Sequence, residues 1–147
     1  MDFEKLFGPN LLTKEGVKPT SEVLGGKRFV GIYFSAHWCP PCRRFTPTLS
    51  EVYSMIHEEN ESDLEIIFVS SDRDQGSFQE YYDSMTFCAL PFEAREEKDA
   101  LSKLYSVSGI PTLIILDENG NTVDKDGRNT VTSSGGNVSA ILSKWAR

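Results

Sequence analysis

The sequence has few cysteines, no excess of positive charge and no long apolar run. Three of its 147 residues are cysteines, and 15 Lys and Arg residues against 22 Asp and Glu residues give a formal net charge of −7. Nucleic acids and anionic membranes bind clustered Lys and Arg, so neither is an expected partner. The longest apolar runs, FVGIYF and TLIIL, are far shorter than a membrane span.

The first ten residues, MDFEKLFGPN, have neither the basic nor the apolar segment of a secretory signal. The expected compartment is therefore the reducing cytoplasm, where two cysteines at CxxC spacing do not predict a permanent structural disulfide. A content of 39% hydrophobic and 25% charged residues is ordinary for a soluble globular protein. At this length, residues 1–147 are expected to form a single domain.

Three segments have the composition of β-structure. The runs RFVGIYFSA (28–36) and LEIIFVSS (64–71) are apolar and rich in β-branched or aromatic residues, which predicts two buried strands. The run TLIILDENGNTV (112–123) predicts a hairpin, because two extended halves flank an Asn-Gly turn.

Four other segments repeat apolar residues at the spacing of an amphipathic helix, and each repeat is assigned to the core. Pro47 lies inside the first of them and predicts a bend, because it lacks a backbone N–H and its ring clashes with the preceding turn. The repeats are Phe45, Leu49, Val52 and Ile56, in a helix to about residue 59; Phe78, Tyr81, Tyr82 and Met85; Ala100, Leu101, Leu104 and Tyr105; and Val138, Ile141, Leu142 and Trp145.

The order of strand, helix, strand, helix, helix, hairpin and helix predicts an α/β fold. Strands separated by helices form parallel pairs, and the late hairpin adds antiparallel strands. The prediction is a central mixed β-sheet flanked by helices on both faces. Such folds place their chemistry at the carboxyl ends of strands, and the loop after the first strand contains two of the three cysteines.

The segment FSAHWCPPCRRFTP (34–47) places only Pro40 and Pro41 between Cys39 and Cys42. A structural disulfide, a metal site and a redox centre each use such a pair. Cys39 falls at the predicted start of a helix, where proline is tolerated and where free N–H groups and the helix dipole favour a thiolate. Because the thiolate is the nucleophile, Cys39 is expected to attack an external disulfide and Cys42 to resolve the mixed disulfide.

A zinc site is the serious alternative for a CxxC pair. A structural zinc usually takes four ligands, and the remaining Cys and His residues are Cys88, His37 and His57. His57 falls far along the predicted helix, and His37 is too near Cys39 for the usual tetrahedral spacing. The sequence therefore favours redox chemistry, with no resident metal or other cofactor expected.

The run YFSAHWCPPCRRFTP resembles the active-site segment of tryparedoxins and nucleoredoxins, a branch of the thioredoxin superfamily. Ordinary thioredoxins carry Gly-Pro between the cysteines, whereas Pro-Pro preceded by Trp is typical of this branch. EIIFVSSDRDQGSFQEYY, ALPFE and GIPTLIILDENG are also similar and follow in the same order, so the resemblance extends from about residue 6 to residue 145. It implies a thioredoxin fold.

The resemblance also implies roles for individual residues. Cys39 is the expected nucleophile, Cys42 the expected resolving thiol, and Trp38 is expected to lie against the site. Pro111 is expected in the cis form beside the cysteines, which leaves the Ile110 backbone to pair with an extended substrate. The alternatives are that Pro111 only begins a strand and that Trp38 only fills the core.

Thioredoxins have a buried proton-carrying Asp in the strand before the motif, and the matching position here is Tyr33. Asp72 is the candidate for that role, with helix capping as its alternative. Arg128 matches an arginine near the substrate face of this branch, where it suits an anionic carboxylate such as that of trypanothione; a solvated surface arginine is the alternative. Arg73 stands where tryparedoxins are acidic, which leaves the identity of the reductant open.

The third cysteine, Cys88, stands where this branch carries an aliphatic residue. Its neighbours are apolar, so it is predicted to be an inert buried thiol. A regulatory or intermolecular disulfide is the alternative.

The residues and the resemblance together predict a cytoplasmic protein-disulfide reductase. The expected partners are disulfide-containing client proteins, among them peroxidases of the peroxiredoxin class, and a dithiol reductant, which is trypanothione, glutathione or a reductase. A redox-sensitive binding module, in which the cysteine pair gates partner association, is the alternative. An isomerase or oxidant would differ in its reduction potential.

Overall fold

The two predicted buried strands lie side by side in a mixed sheet in the computed structural model, which describes residues 3–146. β3 (Phe29–Ser35) and β4 (Leu64–Ser70) pair in parallel, and every residue of both strands is buried. β6 (Thr112–Asp117) runs antiparallel on the other side of β3. Continuous apolar runs suit these strands, because a sheet covered on both faces has no solvent side.

The remaining strands complete a seven-stranded sheet within the described residues, in the order β2-β1-β5-β4-β3-β6-β7. They are β1 (Asn10–Thr13), β2 (Gly16–Pro19), β5 (Cys88–Ala89) and β7 (Thr122–Asp124). The helices are α1 (Phe3–Phe7), α2 (Thr20–Leu24), α3 (Pro40–Asn60), α4 (Gln75–Tyr82), α5 (Arg95–Leu104), α6 (Gly127–Ser133) and α7 (Val138–Trp145). None of these helices has the length and apolar character needed to cross a membrane.

Two core clusters cover the two faces of the sheet, because side chains alternate along each strand. Tyr33 and Phe68 face the cluster that includes residues of α3, α4, α6 and α7. Ile32 and Val69 face the other cluster, which includes residues of α1, α2 and α5. The predicted mixed sheet with helices on both faces is therefore confirmed.

The predicted hairpin forms between β6 and β7. Its turn contains Asn119 and Gly120, and Gly120 has a φ of 84°, a left-handed conformation that glycine adopts without strain. The Asp117 carboxylate accepts hydrogen bonds from the backbone N–H groups of Asn119, at 2.9 Å, and Asn121, at 3.0 Å. This carboxylate therefore holds the turn closed, as Asp does in many turns.

Helix α3 begins at Pro40 and continues past Pro47 to Asn60. The proline therefore does not end the helix, and the bend predicted there stays a prediction. The core repeat of this helix is buried from Phe45 to Ile56, as predicted.

The predictions for two other core repeats are wrong in part. Helix α4 ends at Tyr82, so Met85 lies beyond it, although its side chain is buried. In α5, Leu101 is buried, whereas Ala100 is exposed and Leu104 is 59% exposed. The reason is that α5 contacts the core along a narrow line through Leu101, so residues on either side of that line face solvent.

Six short elements were not predicted, namely α1, β1, β2, α2, β5 and α6. Each spans between two and seven residues, which is too short to display a helical or alternating period. Strand β1 pairs with both β2 and β5, so these pieces extend the sheet beyond β4. Pairing with other strands, rather than a local sequence pattern, makes β1, β2 and β5 part of the sheet.

A buried carboxylate, that of Asp124, joins β7 to the last two helices. Its Oδ2 accepts hydrogen bonds from the indole N–H of Trp145, at 2.9 Å, and from the Thr130 hydroxyl, at 2.5 Å. Its Oδ1 accepts from the backbone N–H of Asp126 at 2.9 Å. Buried donors need such partners, so Asp124 fixes α6 and α7 to the edge of the sheet.

Replacement of Asp124 by alanine is expected to lower the free energy of unfolding by about 3 kcal/mol, because several donors lose their acceptor together. Urea unfolding of the two proteins measures the difference. The matched control is Asp117→Ala, which removes a carboxylate from an exposed turn and is expected to cost about 1 kcal/mol. A loss for Asp124→Ala no larger than that of the control would contradict the prediction.

Candidate active site

Cys39 occupies the N-cap position of α3, after a turn closed by its own N–H bonding to the Ala36 carbonyl at 3.2 Å. Pro40 and Pro41 form the first two positions of the helix, where a missing N–H costs little. Since neither proline has an N–H, the Cys42 amide is the first donor of the helix. It donates a hydrogen bond to the Cys39 sulfur at 3.4 Å. The sulfur thus fills the place that a Ser or Asp oxygen takes in most N-caps.

Both cysteines of the pair are free thiols in this structure, and they differ in access. Cys39 is 5% exposed, whereas Cys42 is 0% exposed. An external disulfide can therefore reach Cys39 first, whereas Cys42 can react only with a sulfur that is already at Cys39. This order of access matches the roles expected for the two residues.

The environment of Cys42 keeps its thiol protonated at neutral pH. Burial, and after it the hydrogen bond with Cys39, raise the pKa of Cys42 to about 11. A hydrogen bond with the Ser35 hydroxyl acts in the opposite direction and lowers that pKa. Because only the thiolate attacks a disulfide, Cys42 must lose its proton during the reaction.

The Ile110–Pro111 segment lies directly beside the pair, and the peptide bond between these two residues is cis, as the resemblance implied. The Ile110 side chain packs against Ala36, Cys39 and Cys42. The Cys39 thiol lies 3.8 Å from the Ile110 carbonyl oxygen, within reach of a weak S–H donor. Ile110 therefore forms one wall of the site, and Pro111, joined to it by the cis bond, directly precedes β6.

Trp38 lies on the surface next to Cys39. Its ring is 53% exposed, so the alternative in which it fills the core is wrong. Its indole N–H donates to the Ser71 carbonyl at 3.1 Å, and the Arg73 guanidinium lies 5.9 Å from the ring centroid. These contacts hold a large flat apolar surface beside the accessible sulfur.

Asp72 fixes the loop that carries the cysteines. Its Oδ1 accepts from the His37 backbone N–H at 2.8 Å, and its Oδ2 accepts from the Ser70 hydroxyl at 2.7 Å. The Arg95 guanidinium donates to the Ser70 carbonyl at 2.9 Å and so supports the same arrangement. The residue that caps α4 is Asp74, so the capping alternative for Asp72 is wrong. Both carboxylate oxygens are engaged away from the thiols, and a proton-carrying role for Asp72 stays a prediction.

A set of four buried hydroxyls, here called the hydroxyl cluster, lies behind the cysteine pair. Tyr81 is its centre: its hydroxyl is 2.7 Å from the Ser35 Oγ and 2.6 Å from the Thr46 Oγ1. The Tyr33 hydroxyl is 2.6 Å from the same Thr46 oxygen. The sequence predicts Tyr81 only as a core residue and gives no role to Ser35 or Thr46. A polar residue at a buried position of a strand or helix was the available signal.

Arg128 is exposed in the first turn of α6, on the same side of the molecule as the prolines of the motif. Together with Pro41, Arg44 and Thr48 it lines a groove of about 310 Å³. The groove therefore brings α6 next to the first turn of α3. The interaction of Arg128 with an anionic substrate stays a prediction.

Cys88 is buried in β5, as predicted. Its thiol donates to the Ile66 carbonyl at 3.2 Å, and burial raises its pKa well above the usual value, with the neighbouring Glu65 carboxylate acting in the same direction. A protonated thiol without access to solvent is a poor nucleophile.

The two histidines lie away from a metal-like arrangement. The His57 Nε2 is 2.8 Å from the Leu64 carbonyl oxygen, and the His37 ring stacks on Tyr81 at 5.1 Å between centroids. Across residues 3–146, no group of three or more His, Cys, Asp or Glu side chains is placed to hold a metal ion.

Comparison with known proteins agrees with this geometry. A family model described as thioredoxin-like matches residues 26–122, which include the cysteine pair. Probable nucleoredoxin 1 of Arabidopsis thaliana is 51% identical over 85% of this chain and 21% of that protein. Tryparedoxin of Trypanosoma brucei brucei is 41% identical over 73% of this chain and 72% of that protein.

A solved structure is also similar. Tryparedoxin II complexed with glutathionylspermidine superimposes with a TM-score of 0.82 at 34% identity, over 90% of this chain and 92% of that chain. By contrast, the chain spans about a fifth of the length of the Arabidopsis nucleoredoxin.

Iodoacetamide at pH ~7 is expected to modify Cys39 at least about tenfold faster than Cys42 or Cys88, because burial raises the pKa values of the other two thiols and keeps them protonated. Labelling of Cys42 is expected to increase only as the pH approaches its pKa of about 11. Mass spectrometry of peptides after brief exposure measures the three rates. Faster modification of either buried thiol than of Cys39 would contradict the assignment.

Proposed function

The chain belongs to the thioredoxin-like family, in the branch of nucleoredoxins and tryparedoxins, and we propose that it reduces protein disulfides through Cys39 and Cys42. The supporting observation is the position of the Cys39 sulfur, which receives the first N–H of α3 and is the more accessible of the pair. Negative charge that develops on this sulfur is stabilised by the amide and by the positive end of the helix.

The proposed cycle is thiol–disulfide exchange. The Cys39 thiolate attacks one sulfur of the client disulfide, that S–S bond breaks, and the other client sulfur leaves as a thiolate. Cys42 then loses its proton and attacks the Cys39 sulfur, so the mixed disulfide breaks and the second client thiolate leaves. Two electrons pass to the client, and an external dithiol reduces the new Cys39–Cys42 bond. A reducing compartment such as the cytoplasm suits this cycle.

Client binding is proposed to use the two walls of the site. The exposed ring of Trp38 offers an apolar contact on one side of Cys39. On the other side, the backbone of Ile110 lies close to the sulfur and is proposed to pair with an extended client segment. Oxidised peroxidases of the peroxiredoxin class are proposed clients.

Reduction of insulin by dithiothreitol is expected to accelerate with this protein and to lose the acceleration in Cys39→Ser, because that variant lacks the attacking sulfur. Turbidity of the released insulin chains measures the rate. Cys42→Ser is expected to trap clients from native extract as mixed disulfides, since Cys39 still attacks but nothing resolves the product.

The same two variants separate this proposal from a redox-gated binding module. A binding module would hold a partner through Cys42→Ser yet leave the wild-type insulin rate at the uncatalysed value. Equilibrium titration against glutathione fixes the direction of catalysis, since reductants of this superfamily lie near about −270 mV and isomerases near about −180 mV.

Four arginines surround the site and are here called the arginine collar: Arg43, Arg44, Arg73 and Arg128. All four are exposed, although the whole chain carries a net charge of −7. Arg44 and Arg128 share the groove beside Pro41, while Arg73 stands over Trp38. The acidic neighbours Asp74 and Asp126 are engaged as helix caps.

The arginine collar is proposed to select anionic partners, because a local patch of one sign attracts the opposite charge during encounter. Disulfides flanked by Asp or Glu and the anionic thiol glutathione meet this requirement.

Charge reversal in the double variant Arg44→Glu and Arg128→Glu is expected to lower kcat/KM for an acid-flanked peptide disulfide by about tenfold, mainly by slower association. Added salt is expected to weaken the wild-type preference for acidic over basic peptides, because salt screens exposed charges. Steady-state kinetics with a matched pair of acidic and basic peptides measures both effects. Lys144→Glu changes the charge at the far end of the molecule and is the control. Equal losses for both peptides would contradict selection by charge.

A further inference from the structure

The hydroxyl cluster forms a continuous path from Cys42 toward the surface. Thr46 follows Cys42 by one turn on the buried face of α3, and the Ser35 hydroxyl, at the end of β3, is close enough to Cys42 to lower the pKa of its thiol. The path continues from the Ser35 Oγ to the Tyr81 hydroxyl over 2.7 Å and from there to the Thr46 Oγ1 over 2.6 Å. Each distance is typical of an O–H···O hydrogen bond.

The outer end of this path opens into a cavity. Thr46 and Tyr81 line a surface cavity of about 220 Å³ together with His37, Arg43 and Ser84. This volume is sufficient for several water molecules, and the walls include polar side chains that can bind them, those of Thr46, Tyr81 and Ser84. The path therefore connects the buried Cys42 thiol with solvent through the hydroxyls of Ser35, Tyr81 and Thr46, the last two of which belong to residues that line the cavity.

Resolution of the mixed disulfide requires Cys42 to lose a proton in a place that water does not reach. Cys42 is 0% exposed, and both oxygens of the nearest candidate carboxylate, Asp72, are engaged by His37 and Ser70. Burial raises the pKa values of Tyr33 and Tyr81, so these phenols stay neutral. A neutral hydroxyl can still accept one proton while it donates another.

We propose that the hydroxyl cluster carries the Cys42 proton to solvent as Cys42 attacks the mixed disulfide, an inference that rests on the proposed dithiol cycle. The proton leaves the Cys42 sulfur for the Ser35 oxygen, the Ser35 proton passes to Tyr81, the Tyr81 proton to Thr46, and the Thr46 proton to water in the cavity. In the same step the Cys42–Cys39 bond forms, the Cys39–client bond breaks, and the client sulfur leaves with the electron pair.

Tyr33 and His37 have supporting positions in this path. The Tyr33 hydroxyl bonds to Thr46 at 2.6 Å and so orients its oxygen. The His37 ring stacks on Tyr81 with 5.1 Å between centroids and an interplanar angle of 14°, at the mouth of the cavity. The hydroxyl cluster thus occupies the place that a buried carboxylate has in ordinary thioredoxins, but passes a proton without storing charge.

Stopped-flow reaction with the aromatic disulfide dithiobis(nitrobenzoate) separates the two chemical steps. Attack by Cys39 releases a first coloured thionitrobenzoate, and resolution by Cys42 releases a second. Tyr81→Phe keeps the ring and its stacking but removes the central hydroxyl. It is expected to leave the first phase unchanged and to slow the second at least about tenfold near pH ~7, since loss of a proton acceptor costs such factors.

Two further measurements distinguish proton transfer from packing. The deficit of Tyr81→Phe is expected to shrink as the pH increases toward about 9, because hydroxide then removes the proton directly. Thr46→Val is expected to slow the second phase and Thr46→Ser to restore it. The matched control is Tyr82→Phe: its hydroxyl belongs to the next residue of the same helix and donates to the Leu12 carbonyl at 3.1 Å, outside the path.

Several results would overturn the inference. A second phase in Tyr81→Phe as fast as in the wild type leaves the dithiol cycle intact and removes the proton path. Equal slowing in Tyr82→Phe, or a Thr46→Ser variant as slow as Thr46→Val, assigns the effect to packing. Release of only one thionitrobenzoate by the wild type overturns the dithiol cycle itself, and the inference with it.

Discussion

The hydrogen bond from the Cys42 amide to the Cys39 sulfur is the interaction on which the site depends. It is the usual N-cap bond from the third helical residue, as at Asp74, Asp126 and Asn137, and the two prolines leave no other N–H in the first turn to compete for the sulfur. The same bond sets the direction of the chemistry: one sulfur is held at the end of a helix near solvent, and the other is turned into the interior. Trp38, Ile110 and the groove beside Pro41 are useful for the chemistry only because this bond holds the Cys39 sulfur next to them.

Polar groups hold this loop from two sides. On one side, the Asp72 carboxylate bonds to the His37 backbone, just before the motif. On the other, the hydroxyl cluster packs beneath Cys42, with Tyr81 bridging a strand residue and a helix residue. Such buried networks are rigid when every member has a partner. The cysteine pair therefore lies on a rigid support, while Trp38 and the arginine collar, the groups proposed to contact a client, stay exposed.

The sequence was sufficient for the parts of the fold that rest on local pattern. The apolar runs of β3 and β4, the Asn-Gly turn and the capping position of Cys39 each follow from residues close together in the chain. The hydroxyl cluster was not predictable in this way, because Ser35, Thr46 and Tyr81 come from three elements and meet only in the folded chain. The position of Asp72 likewise depends on the alignment of two loops, and β5 is a strand only because β1 and β4 flank it.

The anchor at Asp124 has a consequence for substitutions on α6. Helices α6 and α7 follow residue 122, where the matched family region ends, and they are attached to the sheet by their core side chains and by one buried carboxylate and its donors. Arg128 lies on α6, whereas both sulfurs lie at the start of α3. Substitutions on the exposed surface of α6 therefore change the groove beside Pro41 without touching the hydrogen bond that holds the Cys39 sulfur.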